Sequence, residues 1–364
     1  MPIPNQKTDV LKKVGALEAA GSLGALRRQI AGLKALLGSQ NGELIRLHTN
    51  GDAHRPGTIS KRLLLGKLDQ IEQTKTIARA HHYVKRLKKA LTEVSTTKIN
   101  DLDLNRWKEY GTILTDSLWL LNRRDSSGLH SAWYWGNFIP QIPHQLMLRY
   151  TKRGEWVLDP FAGSGTTLLE CQRLHRNCLG VELQPSIARK VRALLAKEPA
   201  RGISTAFALE VGDSRNVDFE DLLRKHGATS VQLAILHPPY HDIIKFSRRS
   251  SDLSNAKSVE AFAAMFGAVV DNVNRVLDQG RYLAVVIGDK YEKGEWIPLG
   301  FRLMSEVQKR SFSLKSIVVK NFEETLGKRN QKELWRYRAL AGGFYVFKHE
   351  YLLIFQKKSH SHNR

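Results

Sequence analysis

Two stretches of the chain hold residue types at spacings that could do chemistry. They are DPFAGSGTT, Asp159 to Thr167, and ILHPPYHDI, Ile235 to Ile243. EWVL, Glu155 to Leu158, leads into the first, and LLECQRLHR leads out with Leu168, Leu169, Cys171 and Leu174 at roughly helical spacing. A strand, a glycine turn and a helix start are expected there. Gly163 and Gly165 allow a turn that a Cβ would obstruct, so a ligand can lie against the N–H groups of the helix N-terminus. That is the layout of a nucleotide-type site. The next apolar run, Cys178 to Val181, ends in Glu182, where an open parallel sheet brings an acidic side chain within reach of ribose hydroxyls. The second stretch reads as a buried strand ending in His237, Pro238, Pro239 and Tyr240, at the carboxyl edge where open α/β sheets hold ligands.

The elements that must position these residues follow from the alternation of apolar runs and helical patterns after Trp156. It predicts a doubly wound α/β domain with a mostly parallel, seven-stranded sheet. The expected strands are Trp156 to Asp159, Cys178 to Val181, Ala208 to Val211, Leu233 to Leu236, Tyr282 to Ile287, Leu314 to Val319 and Tyr351 to Gln356. The expected helices are His144 to Tyr150, Thr166 to Leu174, Gln184 to Lys197, Phe219 to Lys225, Ser258 to Leu277 and Gly300 to Arg310.

DPFAGSGTT followed by HPPY resembles the S-adenosylmethionine-dependent DNA methyltransferases that modify the exocyclic amino group of adenine or cytosine. The likeness covers roughly Trp119 to Lys357. It implies that the last two strands pair antiparallel and that S-adenosylmethionine is the cofactor, with no metal. Cofactor contacts are implied at Asp159, Phe161, Gly163, Gly165 and Thr166 of the turn, at Glu182, and at Asp213 in VGDS, which matches the family's contact to the cofactor adenine. The segment before the first strand folds over the methionine end in that family, which assigns Asn137, Phe138 and Ile139 beside the aromatic cluster Trp133, Tyr134 and Trp135.

Methyl transfer to an exocyclic amine needs a delocalised, poor nucleophile to meet a sulfonium methyl in line, so position and polarisation do the work. In duplex DNA the target base must first be extruded. His237, Pro238, Pro239 and Tyr240 are the catalytic candidates: Tyr240 stacks on the base, the proline pair directs backbone carbonyls at the amine, and His237 accepts an amine proton. The family usually has Asp or Asn at the first position for adenine and Ser for cytosine. His237 matches neither, so both targets stay open, with adenine the first expectation. An RNA amino-methyltransferase and a nucleic-acid-binding regulator with a decayed cofactor pocket are the alternative readings.

Composition points the same way. The 364 residues are 42% hydrophobic, and 57 Lys and Arg against 35 Asp and Glu give a formal charge of +22, which suits a polyanionic partner such as DNA. Cys171 and Cys178 stand in apolar contexts and suggest neither a disulfide framework nor a zinc site, which fits a reducing cytoplasm. The first residues lack the apolar core of a signal peptide, and no long apolar run suggests membrane insertion.

A basic helical domain over 1–104 and a methyltransferase domain over 105–364 are expected. The first consists of two helices broken near Gly21 to Gly24, a loop or short hairpin over Asn41 to Thr58, and one long helix from a cap at Ser60 to about Val94. Its role is DNA-backbone contact or dimerisation through the helices; a solvated basic face is the plainer reading. A helix is also expected around Arg106 to Leu121. No large insert separates Glu182 from His237, so target recognition must come from the N-terminal region or from the long loop Asn321 to Lys348. The DNA-contacting candidates are Lys245, Arg248 and Arg249 after HPPY, and Lys328, Arg329 and Arg336 in that loop, where Trp335, Tyr337, Phe344 and Tyr345 stand among the basic residues. The resemblance implies a site-specific, modification-type enzyme.

Overall fold

The computed structural model describes residues 9–39, 42–46, 58–121, 123–197, 205–322 and 332–359. It divides into two compact units, Met1–Thr112 and Ile113–Arg364.

In the first unit, α1 (Asp9–Leu17) and α2 (Leu23–Gly38) flank the expected break. The Ser22 hydroxyl caps α2 by accepting from the Ala25 amide at 3.2 Å. Strands β1 (Leu44–Arg46) and β2 (Thr58–Ser60) form an antiparallel pair. Ser60 caps the next helix as expected, but that helix is not continuous: α3 (Lys61–Glu72) stops, and α4 (Ile77–Thr92) restarts behind a Thr76 cap. The six-residue step from Ile71 to Ile77 breaks the helical spacing of the apolar stripe, and Thr76 offers its hydroxyl to the Arg79 amide instead of continuing the turn. Leu26, Ile30, Leu33, Leu64, Leu68, Ile71, Val84 and Leu87 close the core of this unit. The segment expected as a helix from Arg106 to Leu121 is instead a 3-10 turn, Leu104–Glu109, followed by turns and bends that lead into β3 (Leu118–Trp119).

The second unit runs α5 (Gln141–Tyr150), β4 (Trp156–Asp159), α6 (Thr166–Arg173), β5 (Asn177–Glu182), α7 (Pro185–Leu195), β6 (Phe207–Val211), α8 (Phe219–Lys225), β7 (Val231–Leu236), α9 (Val259–Val276) and β8 (Leu277–Ile287). There follow the small hairpin β9 (Lys290–Glu292) and β10 (Glu295–Ile297), then α10 (Leu299–Gln308), β11 (Phe312–Asn321), α11 (Lys332–Gly342) and β12 (His349–Lys357). The main sheet has eight strands in the order β3-β11-β12-β8-β7-β4-β5-β6. All seven expected strands are in it. The eighth, β3, is two residues long and joins the β11 edge in parallel, too short to leave a periodic signal. β12 is antiparallel to both β8 and β11, and the pairs among β6, β5, β4, β7 and β8 are parallel.

From β4 the chain winds outward through β5 and β6, then returns to pair β7 on the other side of β4. The carboxyl ends of β4 and β7 therefore lie side by side at the point where the winding direction reverses, and this brings together two motifs distant in sequence. Strands buried on both faces account for the unbroken apolar runs. Val157, Leu158, Leu233 and Ala234 are fully covered.

Gly165 holds the turn to a fixed shape. Its φ is +77°, and a Cβ there would stand 2.5 Å from Val191 Cγ1 of α7. Gly165→Ala is expected to cost about 1–3 kcal/mol through left-handed strain and overpacking, read from the urea midpoint of unfolding.

Candidate active site

A cavity of about 640 Å³ opens at the carboxyl ends of β4, β5 and β7, within the usual range for small-molecule sites of about 300–1,000 Å³. Its wall includes Asn137, Phe138, Ile139, Phe161, Gly163, Thr166, Glu182, Asp213 and all four residues of HPPY. Asp159 and Gly165 stand behind that wall. Asp159 is buried at the end of β4, accepts from the Phe161 amide at 2.9 Å, and is raised by burial to about 6. Its part is to shape the turn.

Glu182 closes the glycine turn from β5. One carboxylate oxygen accepts from the Gly163 amide at 3.0 Å and the other from the Gln184 amide at 2.8 Å. Burial outweighs these two bonds and lifts the group to about 7. A carboxylate has about four lone-pair sites, so two remain for a ligand. Asp213 is differently placed. Burial pushes it up, but a fork from Arg215, with contacts of 3.0 Å to Oδ1 and 2.6 Å to Oδ2, holds it below the ordinary carboxylate range.

Opposite the turn, Arg124 organises the aromatic segment. It donates to Asn137 Oδ1 at 3.3 Å and to the Phe138 carbonyl at 3.0 Å, while the Asn137 amide donates to Ser164 Oγ at 3.1 Å. Tyr134 stacks on Phe246 with centroids 5.7 Å apart, and both line the cavity. Trp133 and Trp135 lie outside it, Trp135 being 67% exposed.

His237 and Tyr240 sit on the β7 side. The His237 ring lines the cavity and is half-buried, edge-on to Phe138 with ring centroids 4.7 Å apart. Burial lowers its pKa to about 4; Glu350 works against this shift and Lys320 adds to it. His237 Nε2 lies 3.3 Å from the Tyr240 oxygen, and the Tyr240 hydroxyl donates to Glu350 Oε2 at 2.8 Å. Burial and then the Glu350 charge push the phenol well above its usual range. Glu350 in turn pairs with Lys320 at 3.2 Å.

Arg124, Phe246, Lys320 and Glu350 are site residues that the sequence reading missed. For the ion pair a signal existed: Lys320 and Glu350 each interrupt the end of an apolar strand, and β11 and β12 place them directly opposite one another.

The loop after HPPY is pinned. His241, at φ +51°, is buried with Nε2 3.1 Å from the Ala256 carbonyl and Nδ1 3.0 Å from the buried Lys290, which also pairs with Asp242 at 2.7 Å. Lys245 donates to the Ser254 carbonyl at 2.6 Å and Arg249 to the Leu183 carbonyl at 3.2 Å, while Arg248 is exposed. The stretch Asn321 to Lys348 is not all loop, because α11 occupies Lys332–Gly342 and exposes Arg336, Tyr337 and Arg338. Lys328 and Arg329 lie outside the described residues.

Compared with known proteins, the chain matches the N6/N4 DNA methylase model over residues 69–193 and 231–363, and so over most of its length. It belongs to that DNA methylase family. Type II methyltransferase M.MjaII of Methanocaldococcus jannaschii is 40% identical over 58 residues, 16% of this chain and 11% of its own. Type II methyltransferase M.SmaI of Serratia marcescens is 38% identical over 81 residues, 21% of this chain and 26% of its own. The methylase thus aligns with only a minor part of these curated relatives. Among solved structures it is similar to an S-adenosylmethionine-dependent methyltransferase from Methanosarcina mazei, at 16% identity and a TM-score of 0.38, covering 57% of this chain and 93% of that one.

Proposed function

We propose that this methylase transfers a methyl group from S-adenosylmethionine to the exocyclic amine of a base in DNA, with adenine the target. The observation that carries the reading is the meeting of the glycine turn, Glu182 and the HPPY turn around one cavity at the switch point of the sheet. The residues present fit the cofactor. Gly163, at φ +48°, leaves the turn open, Glu182 keeps two acceptor sites for ribose hydroxyls, and the cavity is roomy enough. Bound there, the cofactor supplies an electrophilic methyl group on a sulfonium. The chain supplies position: Phe138 and Asn137 cover one side, Tyr240 offers a face to a base, and His237 accepts from its amine. Asp213, the implied adenine contact, accepts from the Arg215 amide and guanidinium in four contacts across both oxygens, filling the sites that Glu182 keeps free, so the ring is held here by shape and Phe161 more than by a free carboxylate.

Glu182 gives this reading a pH signature. The ribose contact needs the carboxylate, and a group near 7 is largely protonated in mildly acidic solution. Cofactor affinity, measured by calorimetry, is expected to rise by up to about ten-fold per pH unit from about pH 6 until the group is ionised, then level off. Glu182→Ala is expected to lower affinity about ten-fold or more and to abolish that slope.

The basic first unit and the exposed Arg248, Arg336 and Arg338 provide charge for the DNA backbone. Deleting residues 1–112 is expected to leave a cofactor-binding unit with weaker DNA binding and a shallower dependence on salt, since each lost phosphate contact lowers that slope by about one. An unchanged slope in a filter-binding titration would reassign the helices to self-association. Sequencing of host DNA that reports modified bases tests the whole reading. N6-methyladenine in a fixed context that vanishes when the gene is removed supports it, and an unaltered methylation pattern counts against it.

A further inference from the structure

Resting on the methyl-transfer reading, we propose that Glu350, clamped by Lys320, is a positioning residue that fixes the tautomer of His237, so that Nδ1 is the acceptor facing the substrate amine. The inference comes from counting protons along the row His237, Tyr240, Glu350, Lys320. Lys320 and Glu350 are each buried to about nineteen parts in twenty and form an ion pair across β11 and β12. A carboxylate so paired can only accept. The single hydroxyl proton of Tyr240 therefore goes to Glu350 Oε2 at 2.8 Å, which leaves the phenol oxygen with lone pairs alone. The contact of 3.3 Å from that oxygen to His237 Nε2 then requires Nε2 to carry the proton. In a neutral imidazole the other nitrogen, Nδ1, is the acceptor.

The consequence is chemical. When the amine nitrogen forms its bond to the methyl carbon and the carbon–sulfur bond breaks, the electron pair stays on sulfur as a thioether. The nitrogen must then shed one proton. Nδ1 takes it, and the resulting imidazolium points its Nε2–H along Tyr240 toward the Glu350 carboxylate, which offsets the new charge. Without Glu350 the phenol is free to donate to Nε2, the proton shifts to Nδ1, and a donor faces the amine.

The test uses the full chain labelled with 15N-histidine and long-range 1H–15N NMR, in the absence of any substrate. The His237 signals are identified by their loss in His237→Leu. The wild type is expected to show a protonated Nε2 and a bare Nδ1. In the double variant Lys320→Met/Glu350→Leu, which removes both buried charges together and so leaves neither unpaired, the Nδ1–H form is expected to appear. Single-turnover methyl transfer is expected to drop about ten-fold or more, with cofactor affinity unchanged. Tyr240→Phe removes the acceptor of the Nε2–H without putting a donor in its place, so it is expected to leave Nε2 protonated, which shows that the shift in the double variant comes from the freed phenol proton. A wild-type His237 protonated on Nδ1, or a double variant whose tautomer is unaltered, would overturn the proposal. If the tautomer behaves as stated but no nucleic acid is methylated, it is the functional reading that fails.

Discussion

Tyr240→Ala is expected to abolish measurable turnover while cofactor affinity stays within about two-fold of the wild type. The ring lines the cavity beyond the glycine turn, and its loss removes a base stack of about 1–3 kcal/mol together with the hydroxyl that joins His237 to Glu350. Tyr240 also fills the space beside Gly288, where a Cβ would come within 2.8 Å of its ring, so the truncation leaves a void at the end of β8. Tyr240→Phe keeps the stack and the packing and is expected to retain part of the activity. Rapid-quench turnover and calorimetric titration on the same preparations separate the two effects. A fall in cofactor affinity that matches the fall in rate would place Tyr240 in the cofactor pocket.

The second large effect concerns His237. As an acceptor it must be unprotonated, and burial lowers its pKa to about 4, so it stays neutral well below the usual imidazole range near 6.5. The acid limb of single-turnover methyl transfer, with both DNA and cofactor saturating at each pH so that the Glu182 effect on binding is excluded, is therefore expected near about pH 4 and not near 6.5. The sign for folding is consistent: the unfolded chain binds this proton first, so the contribution of a neutral His237 to stability is present above about 6.5 and lost as pH falls toward 4. His237→Leu leaves no acceptor and is expected to slow the step about a hundred-fold or more. His237→Asp restores one and is expected to recover activity. A wild-type acid limb at the ordinary histidine value, or a fully active Leu variant, would remove His237 from the reaction.

How far the molecule could be read in advance depended on where the determining interactions lay along the chain. Strands covered on both faces announce themselves as continuous apolar runs, so β4, β5, β7 and the inner halves of β8 and β12 were legible, while the partly covered β6 and β11 were legible from short apolar, β-branched runs in the strand–helix alternation. The glycine turn was legible because φ +48° and +77° at Gly163 and Gly165 demand that residue type. The break between α3 and α4 was not, since good helix formers run on both sides and only the skipped spacing from Ile71 to Ile77 and the cap at Thr76 mark it. Lys320 and Glu350 each stand out locally as a charge at an apolar strand end, but that they pair depends on the register of β11 against β12, a long-range fact. The same holds for the fork of Arg215 on Asp213: the spacing is local, but nothing in VGDS says whether the carboxylate is kept for a ligand or taken by a neighbour.

Incubating the protein with methyl-labelled S-adenosylmethionine and either host DNA or host RNA, then digesting to nucleosides, tests the central assignment most directly. The expected result is label in DNA, recovered as N6-methyladenine, and absent after His237→Leu. Label confined to RNA, label on a ring carbon such as C5 of cytosine, or no transfer by a protein that binds the cofactor would contradict it.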